Sequence, residues 1–334
     1  MAILITGVGA IGTHIAARLV DMGEVPVLYD VNPRRDFLAS LLDLSRVKVI
    51  TGDVNDMPFL VETFRNEKID RMVHMVGLLP RTGISGRPYS GVRTNILGTA
   101  TVLEAARTAG VGRVVFASST AVTSIAPAHT SGEAFIDEDF DMKVLSNRPR
   151  DIYGISKLTG EYLGLMYNDS YGVDFIAIRI GGGFGPAPGS PMGTSGSILW
   201  KLVRNAALGK PVTIDDPSFI FAGRNNYCYM KDVANAFALA CFKQDLQKRV
   251  YHVSMSTYTH QELVDMVRRI FPAVAIEIKT VSKTPIIPGQ ESRMCFGDTS
   301  AARKELGWEP QYDLEAGIKD WAEWIRNNES LSSD

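Results

Sequence analysis

Tyr153-Gly154-Ile155-Ser156-Lys157 sets a phenol and an ammonium four residues apart, and a helix carries such a pair on one face. That pairing suits proton transfer at a hydroxyl whose carbon loses a hydride. A free phenol, with a pKa of about 10, is rarely ionised at neutral pH. A fixed cation beside it favours the phenolate and makes it a usable base. Ser118-Ser119-Thr120 closes a β-branched run, and a hydroxyl at a strand end can hold a substrate oxygen against the phenol.

Thr6-Gly7-Val8-Gly9-Ala10-Ile11-Gly12 lies between an apolar strand pattern and an amphipathic helix pattern. Gly7 permits a tight turn, Gly9 a close approach of the backbone to a pyrophosphate, and Gly12 close packing of helix on strand. The helix start then offers free N–H groups and the positive end of its dipole to the phosphates. Asp30 follows 18 residues beyond Gly12, where a carboxylate holds both ribose hydroxyls and repels a 2′-phosphate. NAD is therefore favoured over NADP, although Arg34 and Arg35 offer cations to such a phosphate. Asp53 ends a third strand pattern, and two readings stand for it: a partner for an adenine amine, or a helix cap.

These residues need a scaffold that brings strand ends to one edge. Strand patterns cover Ala2–Thr6, Val25–Tyr29, Val47–Thr51, Arg71–Val76, Arg113–Ser118 and Asp174–Ile180, with helical patterns at Ile11–Met22, Pro58–Asn66, Thr94–Ala109 and Ile152–Ser170. The alternation predicts an α/β, Rossmann-type doubly wound parallel sheet with a smaller C-terminal substrate lobe. The dinucleotide domain is expected over residues 1–180, with 226–253 returning to it. The lobe is expected over 181–225 and 254–330. The glycine- and proline-rich run Gly181–Pro191 reads as a loop and hinge. Asp298 is placed to cap a short helix reaching Leu306, which Gly307 stops.

A net charge of −2 with no basic run argues against a nucleic-acid partner. Cys228, Cys241 and Cys295 are few and widely spaced, as in a reducing compartment. No apolar run reaches the length of a membrane span, and Met1–Thr6 lacks the basic flank of a signal peptide, so a cytoplasmic protein is expected. His14, His74, His129, His252 and His260 show no ligand spacing, so no metal is expected.

With these motifs in this order the chain resembles the extended short-chain dehydrogenase/reductase family, the NAD-dependent epimerase/dehydratase group, over essentially its whole length. Asn95-Ile96-Leu97-Gly98-Thr99, Tyr229-Met230-Lys231-Asp232-Val233-Ala234, and Asp298–Arg303 with Leu306-Gly307-Trp308 match further family motifs. The resemblance implies a Ser119, Tyr153, Lys157 triad, Ser119 being selected by its distance to Val122. It implies a dinucleotide site at Gly7, Gly9, Ala10, Ile11, Gly12, Asp30, Asp53, Val54, Val76, Gly77, Asn95, Tyr153 and Lys157. Substrate is expected at Leu79, Ser119, Thr120, Tyr153, Gly182 and Arg293, with Gly181–Gly196 and residues near Leu79–Ser90 as walls. A homodimer through the helices at Thr94–Ala109 and Ile152–Ser170 is also implied.

The chain departs from the family pattern in places. The first glycine gap is one residue short, and His74-Met75-Val76-Gly77 replaces H-x-A-A. Gly182 stands where nucleotide-sugar members carry asparagine. Asn225 stands where they carry a phosphate-binding arginine, with Arg224 adjacent. Thr120-Ala121 after Ser119 supplies neither the Asp-Glu pair of dehydratases nor the glutamate of decarboxylases. Dehydrogenation of a small polyol, hydroxy-acid or sugar-like substrate is therefore expected, in keeping with a likeness to L-threonine dehydrogenases around Tyr153–Gly172. Nucleotide-sugar epimerisation by oxidation, rotation and re-reduction is the alternative, and a non-catalytic dinucleotide sensor is a third reading.

Overall fold

The structure, a computed structural model, describes residues 2–79, 84, 86–125, 134–140, 152–188, 193–214, 224–279 and 295–332. The chain runs through β1 (Ala2–Thr6), α1 (Ala10–Asp21), β2 (Val27–Asp30), α2 (Arg35–Ala39), β3 (Lys48–Thr51), α3 (Met57–Asn66), β4 (Ile69–His74), α4 (Pro88–Gly91), α5 (Gly98–Ala109) and β5 (Arg113–Ser119). It continues through β6 (Ala134–Ile136), α6 (Ile152–Tyr171), β7 (Asp174–Ile180), β8 (Gly182–Phe184), α7 (Gly193–Ala207), β9 (Val212–Ile214), β10 (Asn225–Tyr229) and α8 (Met230–Phe242). The last elements are β11 (Val250–Val253), β12 (Thr257–Tyr258), α9 (His260–Ile270), β13 (Ile276–Ile278), β14 (Cys295–Gly297) and α10 (Leu314–Asn327).

Seven parallel strands form the main sheet in the order β11-β7-β5-β4-β1-β2-β3. Chain progression reverses between β1 and β4, and a ligand crevice belongs beyond the strand ends at such a switch point. Strand alternation assigns the two faces. Ile3, Ile5, Val115, Ala117, Ile176 and Ile178 join the core with α1 and α8. Leu4, Val114, Phe116, Phe175 and Ala177 join the core on the other face, toward α5 and α6. Burial on both faces explains why these strands read as continuous apolar runs.

Helix α6 lies unusually close to the sheet. A Cβ at Gly160 would stand 2.4 Å from the Phe116 ring, and one at Gly164 2.1 Å from the Phe175 ring. Each mid-helix glycine costs about 1 kcal/mol against alanine. Burying a phenylalanine contributes about 1.5–3 kcal/mol, so the close contact outweighs the helix penalty. This packing fixes the height of Tyr153 and Lys157 above the strand ends.

The second core gathers Phe184, Leu199, Leu202, Tyr227, Tyr229, Leu263 and Trp321 around the three-stranded sheet β12-β10-β8. Two details differ from the sequence reading. Gly182–Phe184 is an edge strand rather than loop, because Gly182 lets the backbone close on β10: a Cβ there would meet the Asn226 carbonyl at 2.5 Å. The segment expected to return to the first domain divides. Its β10 residues pair within the small sheet, α8 packs on α1, and β11 closes the main sheet against β7. Asp232, from the Tyr229–Ala234 motif, accepts the Gln311 and Tyr312 N–H groups at 2.8 and 3.1 Å and so ties α8 to the C-terminal segment. Asp298 accepts the Ser300 N–H at 2.8 Å, and Gly307 leaves the following turns at φ 69°.

Candidate active site

A cavity of about 440 Å³ opens over the strand ends at the switch point. Its floor is the turn from β1 into α1. Gly7 takes φ 82°, and a Cβ there would stand 2.7 Å from the Val76 nitrogen. A Cβ at Gly12 would strike the Gly7 carbonyl oxygen at 2.1 Å. At Gly9 a Cβ would meet no protein atom within 4 Å, so the missing side chain leaves the cavity open above the helix start. Gly12→Ala is therefore expected to disrupt the fold itself. Gly9→Ala should leave the melting temperature unchanged while weakening dinucleotide binding about ten-fold or more, as an added methyl does in a filled site. Calorimetric titration with NAD beside a thermal melt separates the two effects.

Asp30 sits at the second strand end. Its carboxylate accepts the Val8 N–H at 2.8 Å and the Asn32 N–H at 2.9 Å, which fixes the glycine turn and leaves lone pairs for a ribose. Arg34, the cation that a 2′-phosphate would need, is held by Asp36 through two bonds of 3.0 and 2.8 Å. Asp53 and Val54 line the same end, with Val31 and Tyr29. Asp53 accepts from the backbone and side chain of Asn55, while Asp56 caps α3. The helix-cap reading thus belongs to Asp56.

Val76, Gly77 and Leu79 form one wall together with Met75 and Leu78, and Ala10 and Ile11 also line the cavity. Asn95 lies behind that wall rather than in it. It accepts the Leu78 N–H at 2.7 Å and donates to the Leu78 carbonyl at 3.0 Å and to Ser156 Oγ at 3.1 Å. From a π-helical turn at Val92–Leu97, this residue, expected at the dinucleotide, clamps the loop that lines the cavity. His74, bonded to Thr6 and Thr99 and driven by burial down to about 3, is a neutral brace below it.

Tyr153 and Lys157 line the far end, with Ala117, Ser118 and Ile180. Lys157 is only 4% exposed, and its Nζ lies 5.0 Å from the Phe116 ring centre and 5.7 Å from that of Tyr153. Among the described residues no carboxylate pairs with it. Burial pushes its pKa down to about 8. A buried cation with no carboxylate partner among the described residues, in one cavity with a glycine turn and the Asp30 carboxylate, fits a nicotinamide dinucleotide.

Ser119 ends β5 just outside the cavity wall, and its oxygen accepts the Ala121 N–H at 3.1 Å. Thr120 opens the following 3-10 turn, also outside the wall, with its carbonyl bound by Thr123. Gly182 pairs with β10 and is not part of the cavity lining, and Arg293 falls outside the described residues. Sequence reasoning named Ser118 only as part of the strand-end motif and preferred Ser119, and it missed Val31, Met75 and Ile180. Each sits at or just past a strand's C-terminal end, and that position alone would have found them.

A model of the NAD dependent epimerase/dehydratase family matches residues 3–254. The chain belongs to that family. It is an enzyme of the extended short-chain dehydrogenase/reductase type. A putative UDP-glucose 4-epimerase of Methanocaldococcus jannaschii is 25% identical, over 98% of this chain and 99% of that one. UDP-glucuronate 4-epimerase 3 of Arabidopsis thaliana is 24% identical, over 97% of this chain and 76% of its own length. Among solved structures, the Thermus thermophilus UDP-glucose 4-epimerase in complex with NAD superposes with a TM-score of 0.78 at 24% identity, covering 98% of this chain and 99% of that one. No helix among the described residues is long and apolar enough to cross a membrane, and no cluster of His, Cys, Asp and Glu among them could hold a metal.

Proposed function

We propose that this enzyme is an NAD-dependent epimerase acting on a nucleotide sugar. The observation that carries the hydride chemistry is one cavity holding the glycine turn, Asp30, Tyr153 and Lys157. The substrate class draws its support from relatives named as nucleotide-sugar epimerases that match over nearly the full chain. This reverses the preference for a small-substrate dehydrogenase drawn from sequence.

NAD, when bound, supplies the hydride acceptor. Asp30 holds the adenosine ribose, and the N–H groups opening α1 meet the pyrophosphate. Tyr153 receives the proton of the substrate hydroxyl as its carbon is oxidised, and Lys157 favours the phenolate. The bond from Ala121 leaves Ser119's own proton to donate to the substrate oxygen. Rotation of the oxidised sugar presents its other face, and Tyr153 returns the proton as the hydride comes back. We also propose a homodimer through α5 and α6, where α6 exposes Ile155, Tyr162 and Met166 and the turn leading into α5 exposes Leu97. Sedimentation of the wild type reads that state.

One observation favours the second reading, net dehydrogenation of a small polyol, hydroxy-acid or sugar-like substrate. Asn225 replaces the family's phosphate-binding arginine, and Arg224 is engaged by Thr257 at 2.9 and 2.6 Å and by Glu262 at 3.2 Å. The test is incubation with NAD and a panel of nucleotide sugars, polyols and hydroxy acids, followed by NMR and the near-ultraviolet absorbance of reduced nicotinamide. An interconverted sugar without accumulated NADH supports the epimerase. Stoichiometric NADH from a small alcohol replaces it with the dehydrogenase.

A further inference from the structure

Ser118 and Ser119 are adjacent hydroxyls whose hydrogen bonds run in opposite senses. Strand alternation puts Ser118 on the Phe116 face, toward α6, where its hydroxyl donates to the Glu161 carboxylate. Glu161 also receives Arg179 Nε at 2.9 Å and Nη2 at 2.8 Å, and the acid and the arginine are 2% and 3% exposed. Arg179 is itself fixed by the Glu138 carbonyl at 3.0 Å. Arg179 donates to both oxygens of this group and Ser118 donates to one of them, so the Ser118 proton is committed. Its oxygen keeps only lone pairs.

We propose that Ser118 is the hydrogen-bond acceptor for the carboxamide NH2 of the nicotinamide, and so selects which face of the ring turns toward Tyr153. This rests on the dinucleotide reading above. Ser118 lines the cavity beside Tyr153, Lys157, Ala117 and Ile180, the end remote from Asp30 and Asp53. A dinucleotide with its pyrophosphate at Gly7–Gly12 and its adenosine ribose at Asp30 delivers the nicotinamide there. Ribose hydroxyls both donate and accept, but a carboxamide NH2 only donates. The Ala117 and Ile180 side chains offer it nothing. The Ser118 oxygen does.

The test measures binding of NAD, its 3-acetylpyridine analogue and ADP-ribose to the full-length wild type and to Ser118→Ala. The analogue replaces the amide NH2 with methyl, and ADP-ribose lacks the ring. Wild type should prefer NAD to the analogue about 3- to 10-fold, the effect of one hydrogen bond. Ser118→Ala should bind the two alike and bind ADP-ribose as the wild type does. Equal wild-type affinity for NAD and the analogue overturns the proposal, and that comparison needs no variant. Equal weakening of ADP-ribose and NAD in Ser118→Ala overturns it too, since the serine would then be acting on the fold. Failure of the wild type to bind ADP-ribose would remove the dinucleotide reading itself, and this inference with it.

Discussion

Tyr153→Phe is expected to lower turnover about 10²- to 10⁴-fold, the range for losing a positioned acid–base group. The substitution keeps the ring beside which the Lys157 ammonium sits and removes only the oxygen. NAD affinity should therefore change by no more than about ten-fold, the upper effect of one neutral hydrogen bond. Steady-state kinetics beside a binding titration reads both numbers. A variant that loses turnover and NAD affinity together would show that Tyr153 builds the site instead of moving the proton.

Lys157→Met is expected to move activity and stability in opposite directions. Wild-type Lys157 is buried and titrates near 8, against an ordinary lysine value of 10.5. The unfolded chain binds this proton more tightly than the folded one. Stability from this group is thus missing below pH 8 and is gained as pH rises from about 8 to 10.5. The difference corresponds to roughly 3 kcal/mol at neutral pH. Methionine has a similar length and no charge to bury, so the variant should melt higher than wild type at pH 7. That advantage should shrink as pH climbs through the same window. Turnover should fall about 10²-fold or more, because the phenol loses the cation that favours its ionised form. Melts across pH with NAD absent, paired with turnover, check both arms. A variant less stable than wild type at pH 7 would mean that Lys157 holds the apo fold together.

The parallel order was legible because strands buried on both faces announce themselves as apolar runs, and because Gly7, Gly9 and Gly12 stand where a strand meets a helix. That Asp30, Tyr153 and Lys157 reach one cavity was readable for the same reason: helix and strand periods convert local spacing into geometry. What escaped depends on contacts between distant segments. Asn95 also bonds Leu78 and Ser156 through its amide, a bracing contact that no local spacing announces. The closeness of α6 to the sheet at Gly160 and Gly164 depends on Phe116 and Phe175, which lie far away in the chain. Gly182 reads as a loop residue because a glycine run hides an edge strand whose partner, β10, lies far along the chain. Ser118 was set aside for Ser119 because motif spacing cannot tell which of two neighbouring hydroxyls faces α6.

The most direct test of the account follows a deuterium placed on the reacting carbinol carbon of a nucleotide sugar, with NAD present in ordinary water. Hydride transfer to and from the nicotinamide predicts an epimerised product that retains the deuterium at that carbon, with Tyr153→Phe yielding almost none. Epimerised product carrying solvent hydrogen at that carbon would mean proton abstraction from carbon, and would contradict a dinucleotide-mediated mechanism.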